Sequence, residues 1–67
     1  MSSVFYKETP AGMERAVVEK VSSNQFKIDY FAFDGRPIGS ETFTNQPLQF
    51  VEAKAEDWAL GYSFIKG

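Results

Sequence analysis

A chain of 67 residues with a net charge of −2 has room for one small domain, and residues 1–67 read as that single unit. It contains neither cysteine nor histidine, which removes disulfides, thiolate chemistry, most routes to a zinc site and every Ser-His or Cys-His nucleophile pair. The charge is too acidic for a protein that grips nucleic-acid phosphates without regard to sequence, and far too mild for a DNA mimic.

The chain opens with Val4-Phe5-Tyr6 and then Thr9-Pro10-Ala11-Gly12. This predicts a short extended segment at 4–7, as an edge strand or an arm, followed by a turn at 10–12. Residues 13–21 carry Ala16, Val17, Val18 and Val21, and β-branching favours a strand. Ser22-Ser23-Asn24 is turn chemistry. Residues 25–33 alternate Phe26, Ile28, Tyr30 and Ala32 with Lys27 and Asp29, the clearest strand signal in the chain. Asp34-Gly35 follows, and Asp-Gly between two extended runs predicts a two-residue type I′ turn. A third strand returns over 37–43.

That turn predicts a register. Phe33 faces Arg36, Phe31 faces Ile38, Tyr30 faces Gly39, Ile28 faces Glu41 and Phe26 faces Phe43. The core face then carries Phe26, Ile28, Tyr30, Ala32, Gly39 and Phe43. The other face carries Lys27, Asp29, Phe31, Phe33, Arg36, Ile38, Ser40 and Thr42.

Residues 45–60 predict a helix. Pro47 suits a first turn, Thr44 an N-cap and Gly61 the residue after the last turn. With Thr44 as N-cap, Phe43 and Leu48 form a hydrophobic staple. Leu48, Val51, Ala55, Trp58, Ala59 and Tyr62 fall on one stripe, with Phe50 and Leu60 off it. Ser63-Phe64-Ile65 is a tail that could add a strand. The fold class predicted is α+β: a three-stranded antiparallel meander with one C-terminal helix across a face, and an extra short terminal strand.

A second fold reading comes from resemblance. Arg15-Ala16-Val17-Val18, followed by Asp29-Tyr30-Phe31 and Asp34-Gly35, resembles small SH3-like or Tudor-like barrels over less than half of the chain. That resemblance implies a barrel adaptor, although the helix stands where the barrel would close.

No phosphate-binding glycine loop or EF-hand spacing occurs, and no cofactor or metal is expected. The best carboxylate pair is Glu19 and Glu41. If Val21 stays opposite Phe26, both flank Ile28 roughly 9–10 Å apart, a separation within the range of an inverting glycosidase. A shift of one residue moves Glu19 to the other face, and solvated glutamates beside a sheet are the commoner finding. No catalytic residue is therefore assigned, and the chain reads as no enzyme.

Phe31, Phe33 and Ile38, edged by Arg36, are the most informative group, because a helix on the other face leaves them exposed together. They are the candidate partner-binding residues. The partner predicted is a protein of unspecified identity, with a homodimer as one form of it. Base stacking beside Lys27 and Arg36 is an alternative that the acidity disfavours. The N-terminal arm or the C-terminal tail folding over the patch is another. A second candidate surface is the acidic strip Glu52, Glu56 and Asp57 on the helix.

The longest apolar run, Tyr30-Phe31-Ala32-Phe33, is four residues, which fits neither a membrane span nor a signal-peptide core. The absence of cysteine accords with a cytoplasmic location. The function predicted is a non-enzymatic protein-binding module: an inhibitor, adaptor or accessory protein that occupies a partner's surface. In size, acidity and lack of motifs the chain is similar to the small accessory proteins of phages and mobile elements, including anti-CRISPR-type inhibitors, a similarity of composition only.

Overall fold

The computed structural model describes residues 2–61. Strands β1 (Ser2–Thr9), β2 (Gly12–Ser22), β3 (Gln25–Phe31) and β4 (Pro37–Thr44) precede helix α1 (Leu48–Ala59). The strands form one antiparallel sheet in the order β1-β2-β3-β4. The architecture is α+β, and the segment expected as an arm or edge strand is a full edge strand. It pairs from Ser2 opposite Glu19 to Thr9 opposite Gly12. The sheet runs open from edge β1 to edge β4, so the barrel reading is not the fold. The tail Ser63-Phe64-Ile65, expected as a docking segment, lies outside the described residues together with Tyr62.

The core lies between one sheet face and the helix. Ala16 and Val18 of β2, Ile28 and Tyr30 of β3, and Val51, Ala55 and Trp58 of α1 are buried. Phe5, Phe26, Phe43 and Ala59 pack around them. Trp58 keeps 2% of its surface exposed and lies 5.0 Å, centroid to centroid, from the Tyr30 ring. Trp58 is thus a core anchor, as its place on the apolar stripe predicts. Alanines at 16 and 55 bring the helix close to the sheet, leaving the filling to these two rings. Val51, Ala55 and Trp58 recur at helical spacing, so one face of α1 is apolar and packs across β1, β2 and β3.

Three local features depart from the sequence expectations. The first is the β3–β4 connection. The Ala32 N–H donates to the Arg36 carbonyl at 2.7 Å and the Gly35 N–H to the Ala32 carbonyl at 2.9 Å. Gly35 has φ +90°, while Asp34 is not among the residues with positive φ. A type I′ turn needs positive φ at both positions, so the loop is 33–35, of the type I-plus-left-handed-glycine kind. Phe31 then faces Pro37, Ile38 is bulged, and the register returns to Tyr30 opposite Gly39. The extra loop residue and the bulge cancel, so Ile28–Glu41 and Phe26–Phe43 pair as expected.

The second is a bulge in β2 at Val21, between Lys20 opposite Phe26 and Ser22 opposite Gln25. It places Val18, not Glu19, opposite Ile28. Glu19 therefore faces Lys27 on the other side of the sheet, and the Glu19–Glu41 carboxylate pair does not exist.

The third is the helix start. Asn45 adopts φ 60°, and its N–H donates to the Asn24 carbonyl at 2.7 Å. The side-chain amide of Asn24 also donates to Asn45 Oδ1 at 3.1 Å. Asparagine tolerates the left-handed region, and the residue before Pro47 is kept extended, so the helix begins at Leu48 with Pro47 as its cap residue. This shift removes the Phe43–Leu48 staple. Phe43 packs edge-on against Phe50 instead, with centroids 6.0 Å apart. At the other end Gly61, at φ +85°, donates its N–H to the Trp58 carbonyl, as expected of a glycine closing a helix.

Candidate functional site

Side chains alternate across a strand, so burying Ala16, Val18, Ile28 and Tyr30 commits their neighbours to the opposite face. The register then arranges that outer face in rows. One row is Tyr6, Arg15, Phe31 and Pro37. The next is Val4, Val17, Asp29 and Ser40. Beyond it stand Glu19, Lys27 and Thr42. Met13 and Glu8 pair at the far end. The helix packs entirely on the other side, and among the described residues no element covers these rows.

The apolar part of the face is exposed. Tyr6 keeps 60% of its surface in solvent, Met13 50% and Val4 44%. Phe31 is half-buried because the Arg15 guanidinium lies over its ring, 4.7 Å from the centroid. Lys27 and Asp29, two residues apart on the same face, form an ion pair at 3.2 Å. Arg15 and Glu19 have no ion-pair partner among the described residues.

The four sequence-predicted residues do not form one flat patch. Phe31 stands in the middle of the outer face beneath Arg15. Phe33 is at the hairpin tip, 55% exposed, resting on the backbone of Gly12. Ile38 is the bulged residue of β4 and lies at the rim. Arg36 is tied back to Asp34, with Nε 3.2 Å from Oδ2 while its N–H donates to Oδ1 at 3.1 Å. That backbone donor and the guanidinium charge hold the Asp34 carboxyl below its ordinary range. Arg36 is thus partnered within its own loop, with its side chain largely exposed.

Val4, Tyr6, Met13, Arg15 and Val17 escaped the sequence reading. Their signal was present: Val4 and Tyr6 alternate with Phe5, and Arg15 and Val17 alternate with Ala16 and Val18.

The acidic strip is broken. Glu52 turns toward the sheet and accepts a hydrogen bond from Ser3 Oγ at 2.7 Å, which ties α1 to β1. Glu56 and Asp57 remain exposed. On the core face Glu41 accepts a hydrogen bond from Tyr30 Oη at 2.7 Å. Among the described residues there is no pocket, no group of metal-ligating side chains, and no helix long and apolar enough to cross a membrane. What the outer face can do is offer a surface of aromatic, aliphatic and charged side chains on an antiparallel sheet. Comparison with protein-family models, curated proteins and solved structures finds no match for the chain.

Proposed function

We propose that the chain is a non-enzymatic protein-binding module, of the inhibitor, adaptor or accessory kind, that engages a protein through the outer face of its sheet. One observation carries this reading: Val4, Tyr6, Met13 and the half-covered Phe31 lie on the face that the helix does not touch, with Phe33 and Ile38 at its rim. A sheet face carrying aromatics, methionine and arginine has the composition in which interface cores are enriched. The absence of histidine and cysteine from the whole chain also favours binding over catalysis.

The test uses Phe31→Ser and Phe33→Ser, each followed by thermal melting and by capture of partners. Phe33 is mostly exposed, so its variant should remain folded within about 1 kcal/mol, and Phe31→Ser should cost somewhat more because Arg15 covers its ring. Loss of association by about 2 kcal/mol or more at one of the two positions is expected if that ring is an anchor. Folded variants that associate as the parent chain does would end the reading.

A further inference from the structure

We infer that the outer face takes a second copy of this same chain, packed face to face about a two-fold axis that runs along the strands between β2 and β3. This rests on the protein-binding reading above and names its occupant. An isologous contact demands a surface that complements itself under a two-fold rotation. The outer face has that property. Its four central charges balance, Arg15 and Lys27 against Glu19 and Asp29, although the chain as a whole carries −2.

The register gives the pairing. An axis between β2 and β3 lays β2 of one copy over β3 of the other and reverses each row upon itself. Glu19, which has no ion-pair partner among the described residues of its own chain, then falls opposite Lys27 of the second copy. Arg15, equally without a carboxylate among those residues, falls opposite Phe31 of the second copy and one row from its Asp29. Tyr6 meets Pro37 at the edge. No like charges meet in the central rows. Packed antiparallel sheets lie about 10 Å apart and cross at about 30°, so the contact is closest over the central strands and the long Tyr6 side chain reaches across at the edge.

The size of the face fits such a contact. Four strands at about 4.8 Å and seven or eight residues at about 3.3 Å give roughly 450–500 Å² in projection. With full overlap two copies together bury up to about 1,000 Å² before side-chain relief is added, near the lower limit for a specific interface. The dimer should therefore dissociate on dilution, with a Kd of roughly micromolar order.

The experiment is sedimentation of the full chain over a concentration series, with Glu19→Lys and Lys27→Glu as variants and melting as the check on folding. The parent chain is expected to approach twice its 7.6 kDa mass at high concentration. Each variant alone should raise the dissociation constant at least about tenfold, because like charges then meet at both symmetry-related positions. An equimolar mixture of the two variants should recover dimer. In the mixed pair, opposite charges again face each other at both contacts between position 19 of one copy and position 27 of the other. A disturbance within either chain cannot be mended by mixing, so recovery supports the two-fold packing specifically. A parent chain that stays monomeric, or variants whose mixture gains nothing, overturns the inference. If the chain is monomeric and Phe31→Ser still abolishes capture of a different protein, the second copy is wrong and the protein-binding reading stands. If the monomer instead binds a labelled oligothymidine, with steep salt dependence and loss in Phe31→Ser, both fall.

Discussion

Gly12 and Phe33 approach so closely that a β-carbon on Gly12 would lie 2.9 Å from the Cβ of Phe33. Gly12 closes the β1–β2 hairpin and Phe33 tops the β3–β4 hairpin, so the missing side chain lets the two hairpin tips pack against each other. Gly12 also has φ +141°, which residues other than glycine rarely adopt. Gly35, at φ +90°, shares the conformational demand, but a β-carbon there would meet nothing within 4 Å. Gly12→Ala should therefore cost more than Gly35→Ala. We expect about 1 kcal/mol at Gly35 from strain alone, and about 2–4 kcal/mol at Gly12, where a contact with little room to yield is added. Equal shifts of the urea midpoint would show that the contact with Phe33 contributes nothing.

Trp58 should be the residue on which the fold depends most. It is buried against the Tyr30 ring, with the Lys7 ammonium 5.4 Å from its ring centroid. Trp58→Ala should cost about 3–5 kcal/mol, close to the whole stability of so small a domain. Native tryptophan emission should be blue-shifted and resist acrylamide. Emission as red and as quenchable as in the unfolded chain would contradict the burial.

Period-two alternation made β3 and its core residues legible, because Phe26, Ile28 and Tyr30 recur at every second position between polar neighbours. The helical stripe of Val51, Ala55 and Trp58 and the closing Gly61 were legible for similar reasons. The two bulges were not. Whether Val21 and Ile38 stay in the ladder depends on how the hairpin twists and packs, and periodicity does not encode that. Their consequences differed. At Ile38 the bulge offset a longer loop, so the expected pairs survived. At Val21 nothing offset it, so Glu19 changed faces. The candidate surface was half legible. Phe31 and Phe33 stood out by size, whereas Val4 and Tyr6 joined them only because β1 docks through contacts distant in sequence, Phe5 into the core and Ser3 onto Glu52.

Asn45 should matter through its backbone. At φ 60° it turns the chain from β4 toward the helix, while its N–H is held by Asn24. Asn45→Gly retains that conformation and should change stability by less than about 0.5 kcal/mol. Asn45→Val forces a β-branched side chain into the left-handed region and should cost at least about 1–2 kcal/mol. Similar chemical-denaturation midpoints for the two variants would show that the left-handed turn is not needed.

The Tyr30–Glu41 hydrogen bond gives the fold an alkaline limit. Burial raises the Tyr30 hydroxyl above its ordinary value of 10.0, and the 2.7 Å bond to Glu41 and the carboxylate's charge raise it further. In the unfolded chain the hydroxyl ionises near that ordinary value. Below about pH 10 both states hold the proton, so the contribution of the buried hydroxyl is intact. Above it the unfolded state releases a proton that the native state keeps, and stability falls as pH rises toward the native value. The melting temperature should thus decline above about pH 10. Tyr30→Phe keeps the ring against Trp58 but removes both the titrating group and the bond. It should cost about 1 kcal/mol at neutral pH, since Glu41 is exposed and regains water. Its alkaline decline should be shallower than that of the parent chain. Circular dichroism melts of both chains from about pH 7 to about pH 11, a range spanning the ordinary tyrosine value, make the comparison. Parallel curves would mean that the alkaline limit lies elsewhere and that Tyr30 is held by its ring alone.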